Sequence, residues 1–118
     1  MFLERLSELT QRIDGAIALS LVAEDGIPIE SVSASPDLDL EVVAAEMVTL
    51  ARAIAKEQKE LSVGAVRQFT VAGEKMTFLL SRVGGRYWLL AALRPEAALG
   101  RARFELKRAE LLFEEDLD

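Results

Sequence analysis

Between Tyr87 and Leu93 the chain reads Tyr-Trp-Leu-Leu-Ala-Ala-Leu, without a charge and apolar at every other position counted from either end. A strand sends alternate side chains to opposite sides of a sheet, so Trp88, Leu90 and Ala92 share one face and Tyr87, Leu89, Ala91 and Leu93 the other. Both faces need cover, which excludes an open sheet with one wet side. Ala16–Ala23 repeats the pattern, with Ile17, Leu19 and Leu21 against Ala16, Ala18 and Val22. Lys75–Val83 sets Met76, Phe78 and Leu80 against Leu79 and Val83. These three segments belong in the middle of a sheet with helices on both sides.

The flanking segments supply those helices. Phe2, Leu6, Leu9 and Ile13 recur at helical spacing, with Leu3 alongside, up to Gly15. Asp25-Gly26 suits a tight hairpin turn that leads into a return strand, Ile27–Val32. Ser33–Asp37 is a loop, and Asp37 or Asp39 is placed to cap a helix predicted from Leu40 to Glu60. Strands are expected at Ala65–Val71, Lys75–Val83 and Arg86–Leu93, with Gly73 and Gly84-Gly85 at their turns. Pro95 stands where the first turn of a last helix would open, running to about Glu114. Residues 114–118, Glu-Glu-Asp-Leu-Asp, read as a frayed acidic end. The element order is α-β-β-α-β-β-β-α, an α+β class, and no repeat or linker divides the single domain expected over residues 1–118.

The sheet margins carry more information than its centre. Pro28 has no N–H for a ladder, so the second strand belongs at an edge. The third strand is then the other edge, and Val66, Arg67, Gln68, Phe69, Thr70 and Val71 hold neither proline nor glycine to blunt it. A bare edge is open to another chain, and we infer pairing with a second copy. The middle helix agrees. Leu40, Val43, Ala44, Met47, Leu50, Ala51 and Ile54 form one stripe, which Val48 and Ala55 widen to about 160°, more than a single sheet contact requires. Val43, Met47, Leu50 and Ile54 are therefore assigned, with the third strand, to a dimer interface. The alternative is an alanine-rich helix that looks apolar all round.

Composition removes many functions. The 118 residues hold no histidine and no cysteine, which excludes thiolate zinc sites, disulfides, cysteine nucleophiles and histidine-based triads. A net charge of −6 argues against nucleic-acid binding. The uncharged run Gly15–Ala23 is about half of a membrane-spanning helix, so no membrane insertion is expected and the cytoplasm is the default location. No phosphate-cradling glycine motif is present, so no nucleotide or other cofactor is expected. Asp37, Asp39 and Glu41 alternate like the start of a calcium loop, but Val42 and Val48 stand where glycine and glutamate are required. No carboxylate pair stands in a setting that would serve a hydrolase.

At this point the pattern resembles the roadblock, or dynein light-chain, domains, and especially their MglB-like bacterial members. The likeness rests on Ile13-Asp14-Gly15-Ala16, the hairpin Glu24-Asp25-Gly26-Ile27, and Ala98–Ala109 with its Leu99-Gly100 pair and the basic pair Lys107-Arg108. The resemblance implies a three-layer fold: a five-stranded antiparallel sheet in the order 2-1-5-4-3, the middle helix on one face and the terminal helices on the other. It implies homodimers joined through the third strand and the middle helix. Family members bind small Ras-like GTPases, and MglB-like ones can accelerate GTP hydrolysis by repositioning the GTPase's own residues. Others are adaptors in dynein-like or sensory-kinase-associated complexes.

Candidate sites follow from both readings. Arg52, Arg67 and Arg82 lie nearest the inferred partner surfaces, but they read as solvated arginines, and no catalytic residue is assigned. On the outer side of the middle helix, Val42, Ala45, Thr49 and Ala53 are flanked by Glu41, Glu46, Arg52 and Lys56. Small side chains within a charged rim suit a partner surface, the alternative being an ordinary solvated face. On the last helix Leu99, Ala102, Leu106, Ala109 and Phe113 should pack inward. Ala97, Phe104 and Leu111 form a second stripe expected to pack against the first helix, with a docking surface as the alternative. Gly100, inside this helix, points to a close approach or to an irregular helix start.

Overall fold

In the computed structural model, which describes residues 2–117, each face of the apolar central strands is roofed by helix. The elements are α1 (Phe2–Arg12), β1 (Ala16–Ala23), β2 (Pro28–Ser33), α2 (Leu40–Lys56), a single turn α3 (Gln58–Leu61), β3 (Gln68–Ala72), β4 (Thr77–Val83), β5 (Tyr87–Leu93) and α4 (Leu99–Asp116). All neighbouring strands are antiparallel in the order β2-β1-β5-β4-β3, so the proline-bearing strand is at one edge and β3 at the other.

Alternation divides the core in two. Leu19, Leu21, Leu79, Leu89, Ala91 and Leu93 meet α1 and α4, while Val22, Leu80, Trp88 and Leu90 meet Ala44, Met47, Val48 and Ala51 of α2. Ala16 departs from the expected alternation. The β1 register shifts between Ala16 and Ala18, and Ala16 packs on the α1–α4 side. At the β1–β2 turn Gly26 sits at φ +93° and donates to the Ala23 carbonyl at 2.9 Å. A Cβ there would stand 3.3 Å from Ala45 Cα, so this glycine lets the hairpin lie against α2.

Several boundaries differ from the sequence reading. The middle helix ends at Lys56, because the Glu57 N–H bonds the Ile54 carbonyl at 2.9 Å and tightens the turn. The short α3 then stops at Ser62, φ +58°. No glycine or proline marks that break, which is why the helical pattern ran on to Glu60. β3 begins at Gln68, so Val66 and Arg67 precede it, although the Arg67 carbonyl still accepts from the Arg82 N–H at 2.8 Å. Pro95 lies in the turn closed by Ala97 N–H to the Arg94 carbonyl, and α4 starts only at Leu99.

The acidic end is docked rather than frayed. Arg5 Nε meets Asp116 Oδ2 at 2.6 Å, the Gly84 N–H donates to Glu114 Oε1 at 3.2 Å, and Leu117 packs on the core. Asp118 lies outside the described residues. Phe2 stacks on Phe113 with ring centroids 6.1 Å apart, which fastens the two terminal helices together. The second stripe of the last segment does not pack against α1: Phe104 and Leu111 remain 59% and 67% exposed, and Ala97 precedes α4 and packs against the α1–α4 core. A Cβ on Gly100 would meet nothing within 4 Å, so this glycine marks the helix start and no close approach.

Candidate partner interface

Asp39 opens α2, its carboxylate accepting from the Val42 N–H at 3.3 Å. From that cap the helix sets three distinct sides. Ala44, Met47, Val48 and Ala51 face the sheet. Ala45 lies over Gly26, and Arg52 Nη2 donates to the Glu24 carbonyl at 2.7 Å, so this flank borders the β1–β2 hairpin. Val43, Leu50 and Ile54 occupy the opposite flank, above the β3 side of the sheet. Met47, grouped by its spacing with the dimer contacts, is only 3% exposed; it belongs to the core beneath α2 and is not available to a second chain.

The β3 flank is apolar and open. Leu50 is 46% exposed, and with Ala53, Ile54 and Leu61 it lines a hollow of about 400 Å³. Leu61 and Val63, each 59% exposed, belong to no helical or strand spacing in the sequence. Their only signal was apolar residues placed past the end of a helix. Below them, Phe69 packs into the α2-side core beside Phe78, and Val71, on the same face of β3, is 39% exposed.

Among the described residues no strand pairs with the outer edge of β3. Arg67 and Gly73 bond to Arg82 and Met76 through the main chain, and the register aligns Phe69 with Leu80 and Val71 with Phe78. Odd-numbered residues therefore bond β4, and the N–H and C=O groups of Gln68, Thr70 and Ala72 point away from the sheet. Val66 turns instead to the hollow floored by Trp88.

The outward face of α2 presents Glu41, Val42, Glu46, Thr49, Ala53 and Lys56, all exposed. Thr49 Oγ1 donates to the Ala45 carbonyl at 2.8 Å, so its hydroxyl proton is already committed within the helix. Arg52 and Arg82 are already committed: Arg52 to the hairpin carbonyl, Arg82 Nη2 to the Gly85 carbonyl at 2.7 Å, with its guanidinium 4.5 Å from the Trp88 ring centroid. They hold the two hairpin tips in place.

The Roadblock/LC7 domain family model matches residues 2–93, and the chain belongs to that family. Among solved structures it is similar to a Roadblock/LC7 domain from Streptomyces avermitilis, at 21% identity and TM-score 0.88 over 98% of this chain and 96% of that one. It is similar to Myxococcus xanthus MglB at 20% identity and TM-score 0.85, over 96% and 91% of the two chains. It is also similar to MglC from Myxococcus xanthus at 27% identity and TM-score 0.72, over 98% of each. No curated protein matches. No helix among the described residues is long and apolar enough to cross a membrane.

Proposed function

We propose that two copies of the chain join through β3 and the adjoining flank of α2, and that the paired α2 helices bind a small Ras-like GTPase in the cytoplasm and bias its switch conformation. Membership of the Roadblock/LC7 family and the similarity to MglB and MglC support a regulatory or adaptor role. The observation that carries the dimer is the unpaired edge formed by Gln68, Thr70 and Ala72 beside exposed Leu50, Leu61 and Val71. Pairing satisfies the outward backbone groups and covers these side chains together. Of the residues assigned to this interface, Val43, Leu50, Ile54 and Gln68–Val71 fall within it, Val66 and Arg67 precede β3 and border it, and Met47, buried beneath α2, is left out of it.

The GTPase surface is the outward face of α2, where Val42, Thr49 and Ala53 lie between Glu41, Glu46 and Lys56. Such a platform acts by preferring one switch conformation, without supplying chemistry. The test is GTP turnover by a candidate GTPase with and without the protein, alongside direct binding. Val42→Arg with Thr49→Arg is expected to abolish binding while the dimer persists, since neither residue lines the hollow on the β3 flank. Binding that survives both changes removes the platform. Binding with unaltered turnover replaces the regulator with an adaptor built on the same dimer.

A further inference from the structure

On the opposite side of the sheet from α2, α4 crosses β4 and leaves a hollow of about 350 Å³ beside β3. Arg67, Arg103 and Lys107 converge on it in a chain whose net charge is −6. The ion pairs among the described residues, Arg5–Asp116, Arg101–Glu105 and Arg108–Glu105, involve none of the three. Arg101 and Arg108 are consumed by Glu105, itself buried, whereas among the described residues Arg103 donates to Thr70 Oγ1 at 3.3 Å and joins no ion pair. One carboxylate, Glu110, lines the same hollow.

Two apolar features accompany this charge. Phe104 stands at the rim, largely exposed, and Gly100 leaves open space where any other residue would project a side chain. Phosphate polyanions are poorly served: three cations with a carboxylate among them, on an acidic protein, offer little to a nucleic-acid backbone. Carboxylate side chains alternating with an apolar one match the arrangement better, with the cations giving register and Phe104 giving area.

We propose that the hollow between α4 and β3 docks an acidic peptide segment of a partner protein, its carboxylates on Arg67, Arg103 and Lys107 and an apolar side chain above Gly100 against Phe104. This site lies on the face of the sheet opposite the α2 platform and shares only Arg67 and Gln68 with the margin of the proposed β3 edge.

The probe is a short fluorescent peptide of glutamate interspersed with leucine, titrated into the full chain and followed by anisotropy. Saturable binding is expected. Arg103→Glu with Lys107→Glu should weaken it by about tenfold or more, since two exposed charge pairs are lost and reversed. Gly100→Leu fills the hollow and should abolish binding while leaving thermal stability unchanged or raised, because leucine is the better helix former. Glu110→Gln should tighten binding. The proposal is overturned if the peptide fails to bind, if the Gly100→Leu protein binds it as well as the unaltered chain, or if a single-stranded oligonucleotide of equal charge binds at least as tightly.

Discussion

Leu50 gives the most quantitative test of the pairing surface. It sits on the flank of α2 above β3 and retains 46% of its exposure in the isolated chain. Fully covering a leucine is worth about 1.5–3 kcal/mol, so covering the remaining half yields roughly 1 kcal/mol per chain. In a symmetric dimer the contact occurs twice, and Leu50→Ala should cost about 2 kcal/mol, close to a thirtyfold rise in Kd. Sedimentation equilibrium over a concentration series measures this, with Glu41→Ala, in the first turn of α2 beside Pro28 and Ser31 and away from β3, as the control. A thermal melt confirms that the variant is folded. A Kd for Leu50→Ala within about threefold of the control would refute the assignment of this flank to the interface.

Three other perturbations address the frame that holds the site. Phe113→Ala empties a fully buried position where α1 and α4 meet; it should cost about 3–5 kcal/mol, seen as a melting temperature lower by roughly 12–20 °C. Gly15→Ala forces φ +87° on an alanine and sets a Cβ 2.8 Å from Ala97 Cβ, so it should destabilise by about 1–3 kcal/mol; Ala97→Gly added to it should recover the overlap but not the backbone strain. Burial, then the neighbouring Glu114 charge, hold the Glu110 pKa above the usual carboxylate value, against Lys107 and Arg67. A raised carboxylate pKa favours the protonated form in the fold, so its stabilising effect is present in acid and lost as pH rises through that pKa. Glu110→Gln should therefore raise the melting temperature at neutral pH and leave it unchanged near about pH 3, where both states are protonated.

The sheet was legible because its signal is strict. Trp88, Leu90 and Ala92 alternate with Leu89, Ala91 and Leu93, and a strand carrying that pattern must be covered on both faces. Pro28 placed one edge, leaving β3 as the other. Spacing was a weaker guide on the helices, where one stripe serves both the core and a neighbour. Met47 and Leu50 fall in the same stripe, yet a rotation of the helix buries one and exposes the other. The break at Glu57 and the late start of α4 depend on backbone hydrogen bonds at Ile54 and Arg94, which no residue type announces. Arg5 and Asp116 are paired across the length of the chain, so the docking of the acidic end is a tertiary event with no local trace. The same holds for the basic hollow, whose Arg67 and Lys107 are brought together only by the packing of α4.

Amide hydrogen exchange along β3 reads the edge most directly. In an isolated chain the N–H groups of Gln68, Thr70 and Ala72 face solvent, while those of Phe69 and Val71 are held by β4. With β3 joined to its twin, all of these positions within the shared ladder are expected to be slow, and protection at the outward positions should fall on dilution as the dimer dissociates. Rapid exchange at Gln68, Thr70 and Ala72 at concentrations where Phe69 and Val71 are protected would contradict a dimer built on this strand.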